Sequence, residues 1–159
     1  MSTSAQTAKL VTRAIKKGNN KVVQYFLDHS DYDPSADYND AIKLASQKGF
    51  VKIVKLLLLD KRVNPGSHNN CALKLASKNG HLEVVKELLK DPRIDYDNDP
   101  PTKLVWINEA IKLTVANGHS EVVKLLEEYL KSKKSIPQLK KIVINIPIEL
   151  KNTVEINYV

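Results

Sequence analysis

The sequence predicts an all-α solenoid of four helix pairs, followed by a short C-terminal β-hairpin. Apolar residues recur with helical spacing through most of the chain, and a glycine interrupts them at nearly regular intervals. Near the C-terminus the pattern changes to alternating apolar and polar residues, which is typical of strands. Because a helix pair of this size cannot bury its own apolar residues, neighbouring pairs must cover them. We therefore expect a stack of similar units.

One unit, residues 70–91, shows the pattern most clearly, with the sequence NCALKLASKNGHLEVVKELLKD. Gly80 can adopt the left-handed conformation that ends a helix, so the second half should turn back antiparallel to the first. The apolar residues on each side of this glycine share one helical face. They are Ala72, Leu73, Leu75 and Ala76 before it, and Leu82, Val84, Val85, Leu88 and Leu89 after it.

Aligning the chain on this glycine gives four units. Gly18, Gly49, Gly80 and Gly118 are separated by 31, 31 and 38 residues. Four columns around the glycine are apolar or small and form the predicted core. They are Leu10, Ala41, Ala72 and Ala110; Ala14, Ala45, Ala76 and Thr114; Val23, Val54, Val85 and Val123; Phe26, Leu57, Leu88 and Leu126.

Each unit can be placed in chain order. Residues 1–7 are a small polar lead, expected to be mobile, and the first pair, about 8–33, must leave one side uncovered. The second pair, about 39–64, contains four consecutive leucines and is predicted to be central. In the third, about 70–95, the second helix should stop at Asp91-Pro92, because proline cannot continue a helix. The fourth, about 108–130, completes the repeat domain of residues 8–130.

Asparagine recurs before the first helix of the last three units, at Asn39, Asn70 and Asn108. A short polar side chain at this place can accept hydrogen bonds from the free N–H groups of the first helical turn. We therefore predict that these asparagines cap their own helices.

The connector before the fourth unit, from Asp95 to Asn108, is seven residues longer than its counterparts. Insertions in repeat proteins fall in loops, often on the binding side. This one holds the only tryptophan, Trp106. Two interpretations stay open: Trp106 folds back over the adjacent helices, or it is an exposed contact anchor, since tryptophan is enriched in interface hot spots.

Residues 131–159 are predicted to form a basic linker and a β-hairpin. Five lysines without an acidic residue favour a solvated connector, and a site for phosphates or acidic partners is the alternative. The apolar side of the hairpin needs cover, either from the fourth helix pair or from another molecule. Its residues are Ile142, Ile144, Ile146, Ile148, Leu150, Val154, Ile156 and Tyr158.

The segment Ala76–Leu89, ASKNGHLEVVKELL, resembles the consensus of the ankyrin-repeat family, and His81 and His119 occupy the column of its post-glycine histidine. The threonine–histidine helix start of that consensus is replaced by DAIK, CALK and EAIK. The patterns N-x-A-I-K-x-A-S and D-P-R-[IV]-D are similar to ankyrin arrays of giant DNA viruses of amoebae.

This resemblance implies a non-enzymatic module that binds an unidentified protein, one of a host cell if the protein is viral, through its finger loops and concave helix face. The contact columns carried over from the family are Asp37, Asn39, Gln47, Lys48, His68, Asn70, Lys78 and Trp106. The alternative is a structural or assembly subunit that self-associates through the C-terminal hairpin.

Other classes of function find little support in the sequence. The four histidines stand in different contexts, and no motif for a nucleophile or a phosphate loop occurs. Asp95, Asp97 and Asp99 alternate as in a calcium loop, but prolines stand where its glycine is needed. His81 and His119 are expected to pack at turns. We therefore expect no enzyme activity, no metal and no cofactor.

Charge and composition bound the partners. The net charge is +7, but basic residues exceed acidic ones only modestly in each part of the chain, so no specific nucleic-acid binding is expected. No apolar run is long enough for a signal or a membrane span. A single cysteine, Cys71, excludes an internal disulfide. We expect a monomer in the reducing cytoplasm, that of the host cell if the protein is viral.

Overall fold

The computed structural model describes residues 4–95 and 105–133. In these ranges the chain is helical, with no strand. The helices are α1 (Ser4–Lys16), α2 (Asn20–His29), α3 (Ala36–Lys48), α4 (Val51–Leu59), α5 (Ser67–Lys78), α6 (Leu82–Lys90), a 3₁₀ turn (Pro92–Asp95), α7 (Val105–Ala116) and α8 (Ser120–Lys133). Most of the long insertion and the predicted C-terminal hairpin lie outside the described residues.

The eight helices form the four predicted pairs and pack in two layers. α1, α3, α5 and α7, the first helices, lie side by side in chain order, and α2, α4, α6 and α8, the second helices, do the same. Each first helix also packs on the second helix that follows it. This arrangement confirms a helical solenoid in which each unit is covered by its neighbours.

Glycine ends each first helix in the predicted way. Gly18, Gly49, Gly80 and Gly118 all have left-handed φ angles, between 68° and 75°. A Cβ added at Gly49 would lie 2.6 Å from the His81 ring of the next unit, so this turn also needs the missing side chain. The same His81 ring hydrogen-bonds through Nε2 to the Gln47 carbonyl oxygen at 3.0 Å. His81 therefore packs at a turn, as predicted.

The predicted core columns are buried in the second, third and fourth units. In the first unit Leu10 is 45% exposed and Phe26 is half-buried, contrary to prediction, because among the described first helices only α3 packs beside α1. Leu75 is only half-buried, and Leu73 fills the core in its place. Helix α1 begins at Ser4 and buries Thr7, both within the lead predicted for residues 1–7.

Candidate functional site

The turns at the starts of α3 and α5 each contain three consecutive left-handed residues that interrupt the helix. We call these turns the first finger (residues 34–40) and the second finger (residues 65–71). In the first finger, Asp37, Tyr38 and Asn39 have φ of 50°, 60° and 63°. In the second, His68, Asn69 and Asn70 have φ of 54°, 56° and 56°. Residues other than glycine rarely adopt this backbone conformation, although asparagine, aspartate and histidine tolerate it better than the others.

The left-handed turns sort the finger side chains into exposed and buried ones. Asp37, Tyr38, His68 and Asn69 are exposed. Tyr38 keeps 74% of its surface exposed, the mark of a side chain that packs on little of its own chain. Its ring nevertheless meets the His68 ring edge to face, with 5.1 Å between the centroids. The two finger tips therefore form one aromatic edge.

Hydrogen bonds join the two fingers. The Ser67 hydroxyl donates to the Tyr38 carbonyl oxygen at 3.1 Å and lies 3.0 Å from Nδ1 of His68. At the base of the first finger, the backbone N–H of Asn64 donates to Asn39 Oδ1 at 2.6 Å. The first finger is thus positioned by the second finger and by the residue just before it.

The predicted roles of the asparagines are corrected by this geometry. Asn39 and Asn70 are buried, 8% and 1% exposed, so neither faces a partner. Asn39 binds the backbone of the next connector rather than capping its own helix. Asn108 is the fourth residue of helix α7, inside the helix, where a capping role is excluded. The recurring asparagine is a packing residue in the fingers.

Three other predicted contact residues lie at the C-terminal ends of the first helices. Gln47 and Lys48 end α3, and Lys78 ends α5; all three side chains are exposed. Together with Asp37 and His68 at the fingers, five of the eight predicted residues are therefore accessible, in two groups at opposite ends of the first helices.

Trp106 is a buried core residue, not an exposed anchor. It is 1% exposed, and its ring lies against that of Tyr129 in α8, with 6.2 Å between the centroids. The reason is local: α7 is regular from Val105 onward, so Trp106 occupies a helical position that faces the core. The interpretation in which Trp106 folds back over adjacent helices is the one that holds.

Arg93, which sequence reasoning missed, joins the 3₁₀ turn after α6 to the end of α4 and the connector that follows α4. Its guanidinium donates to the carbonyl oxygens of Leu58 at 2.7 Å, Val63 at 2.7 Å and Asp60 at 3.2 Å. It is held in place by an ion pair with Asp91 at 2.6 Å. Such planar donors suit several acceptors at once. Arginine two residues after aspartate at both 60–62 and 91–93 was the available signal.

Arg62 makes the equivalent but smaller contact one unit earlier. It donates to the Tyr32 carbonyl oxygen at 3.3 Å and pairs with Asp60 at 2.6 Å. The hydrogen bonds from Arg62 lower the pKa of Asp60 below its usual value. Burial raises the pKa of Tyr32 to about 12, with help from the charge of Asp33. At neutral pH Asp60 is therefore ionised and Tyr32 is uncharged.

The described residues contain neither a metal-binding cluster nor a membrane-spanning helix. No three histidine, cysteine, aspartate or glutamate side chains within 4–95 and 105–133 converge on a point where a metal ion could bind. In the same ranges, no helix combines the length and the apolar character that crossing a membrane requires.

Comparison with known families fits the repeat geometry. The family model described as Ankyrin repeats (3 copies) matches residues 11–99, more than half of the chain and the part that holds the first three glycine turns. A search among curated proteins finds no match. On the family match and the stacked helix pairs together, the chain belongs to the ankyrin-repeat family, whose members generally mediate protein–protein interactions.

Proposed function

We propose that this protein is a non-enzymatic interaction module that binds a client protein across its fingers and the adjoining first helices. The observation that carries the proposal is the left-handed backbone of six finger residues. A residue with a side chain costs roughly 1–2 kcal/mol in this conformation. Strain of this kind is commonly kept where it positions a functional group.

What the strained fingers position is an exposed aromatic edge. Tyr38 and His68 lie at its centre, with Asp37 and Asn69 around them; we call these four residues the finger surface. An aromatic group with a polar surround is the usual composition of an interface hot spot. Gln47, Lys48 and Lys78 extend the proposed contact to the far ends of α3 and α5.

The resemblance to ankyrin arrays of giant viruses points to a host-cell protein as the client, met in the host cytoplasm by a monomer of this protein. The long connector before α7 is not needed for this proposal. Trp106, which made that connector attractive, is part of the core.

A matched pair of variants tests the proposal. Tyr38→Ala with His68→Ala removes the aromatic edge. The control, Tyr25→Ala with His29→Ala, removes a second tyrosine–histidine pair, stacked at 4.9 Å and exposed on α2. Clients captured from host-cell extract, identified and then bound in purified form, should lose affinity for the first variant alone. Equal binding to both variants would show that the finger surface does not contact the client.

A second candidate function follows from the alternating apolar residues near the C-terminus, which favour a subunit that self-associates through a hairpin edge. Its test is the particle mass at several protein concentrations, with and without residues 134–159. Concentration-dependent association that is lost on truncation would support it, and a constant monomer mass would exclude it.

A further inference from the structure

Positive charge is concentrated at one end of the first helices. These four helices hold eight basic and three acidic residues, and the acids lie in the N-terminal halves of α3 and α7. Four exposed cations lie in the last turns of α1, α3 and α5, and we call them the basic row: Arg13, Lys16, Lys48 and Lys78. The row is not evident in the net charge of any one chain segment, because its members come from three different units.

The basic row is not neutralised by the fold. Two acids of this layer already pair elsewhere, Asp40 with Lys43 at 3.5 Å and Glu109 with Lys74 at 2.9 Å. In the described part of the chain, no member of the row has a carboxylate within ion-pair distance. On the second helices, Lys86 pairs with Glu83, and Lys55 and Lys90 share Glu87. Those four helices hold eight lysines and six acidic residues, so their charges are more nearly balanced.

Helix ends alone do not account for the row. A cation in a last turn stabilises its own helix by about 0.3–1 kcal/mol. That benefit would apply equally to α7, whose last turn has no basic residue. The row therefore stops at the third unit. A shallow groove lined by Lys9, Arg13, Lys16 and Asp37 joins its first members to the first finger, so row and finger surface are continuous.

We propose that the client presents an acidic segment in extended conformation to the basic row. This inference rests on the proposed function and specifies the chemistry of its partner. Packed helices lie roughly 10 Å apart, and an extended chain advances about 3.3 Å per residue. Acidic residues at about every third position, over roughly seven residues, would therefore meet the cations of α1, α3 and α5 in turn.

The test uses three fluorescent peptides and two charge-reversed variants. One peptide carries glutamate at every third position, the second has the same composition with its glutamates contiguous, and the third has glutamine instead. The variant Lys16→Glu/Lys48→Glu/Lys78→Glu reverses the row. Its control, Lys21→Glu/Lys52→Glu/Lys124→Glu, makes the same change in net charge at three exposed lysines of the second helices.

Fluorescence anisotropy at low salt should show the spaced peptide binding best. Its affinity should fall about tenfold or more in the row variant, and less than about twofold in the control, as loss of local rather than total charge requires. The glutamine peptide should not bind. A corresponding triple Lys→Gln variant, checked by thermal melting, replaces the row variant if glutamates at helix ends unfold it.

Three results would overturn the inference. Equal loss in both variants would show that binding follows net charge alone. Tighter binding of a single-stranded oligonucleotide of matched charge, with the same dependence on the row, would assign the row to nucleic acid. No binding of the spaced peptide, with client binding still dependent on Tyr38 and His68, would remove the acidic segment and leave the proposed function standing.

Discussion

The two fingers and the start of α7 occupy equivalent places in the repeat, yet they present opposite surfaces. Twelve and eleven residues before the glycine, the first finger has Asp37 and Tyr38, and the fourth unit has Trp106 and Ile107. Tyr38 is 74% exposed, and Ile107, in the same column, is 0% exposed. Alignment position alone therefore does not assign a role to a residue.

The difference follows from what each backbone tolerates. The second finger's triplet, His68 to Asn70, consists of residue types that enter the left-handed region at modest cost. A β-branched residue such as Ile107 would be a strong outlier there, and the fourth unit continues as a regular helix from Val105. The left-handed turns expose the first two side chains of each triplet, whereas the regular helix places Trp106 in the core. Local residue type thus decides which units expose the side chains at this place.

The largest test of this contrast compares Trp106 with its column equivalent, His68. Trp106→Ala should lower the free energy of unfolding by about 3–5 kcal/mol, because it empties a buried site. His68→Asn keeps a residue suited to the left-handed turn and should change that free energy by less than about 0.5 kcal/mol. Urea melts followed by circular dichroism give both values, and similar losses would contradict the contrast.

The sequence predicted the repeat well because its signals are local. Gly49 and Gly80 mark turns that depend on their own φ angles, and small or apolar columns around them follow helical periodicity. What it missed depends on distant partners. The guanidinium of Arg93 reaches carbonyl oxygens more than thirty positions earlier. Nothing beside Asn39 in the sequence indicated that it would bind the backbone of Asn64.

Removing Arg93 should loosen the connector that leads into the second finger. Arg93→Ala leaves three carbonyl oxygens and Asp91 without their charged donor, and we expect a loss of about 2–4 kcal/mol. Arg62→Ala, which removes one carbonyl contact and an exposed pair, should cost less than about 1 kcal/mol. Equal losses in denaturant melts would show that the extra carbonyl contacts add nothing.

A pH series sharpens the same comparison. Burial raises the pKa of Asp91, but the hydrogen bonds and charge of Arg93 outweigh it, and the net shift is downward. A carboxyl with a lowered folded pKa stabilises the protein above its unfolded value, about 4, and this contribution is lost as the pH falls through the folded value. The acid-induced loss should therefore be smaller in Arg93→Ala.

An intermediate loss of stability is expected when an asparagine of the recurring column is replaced. Asn39→Ala removes the acceptor of the Asn64 N–H and a side chain suited to φ near 60°, so it should cost about 1–3 kcal/mol. Asn108→Ala, at the same column inside α7, should change stability by less than about 0.5 kcal/mol. Hydrogen exchange at the Asn64 amide, faster in the first variant only, would locate the effect.

The smallest expected change concerns Tyr38, the one finger residue in the left-handed triplets that is neither asparagine, aspartate nor histidine. Tyr38→Asn should relieve part of its backbone strain and raise the free energy of unfolding by about 0.5 kcal/mol, although it gives up the ring contact with His68. Ile107→Asn, in the same column, should instead destabilise strongly, because it buries an amide in the core.

A tyrosine that costs stability and stays exposed is best explained by use in binding. The stabilised Tyr38→Asn variant should therefore bind its client more weakly than the wild type. If that variant were both more stable and equally active, Tyr38 would be incidental, and the finger surface would have to depend on Asp37 and His68 alone.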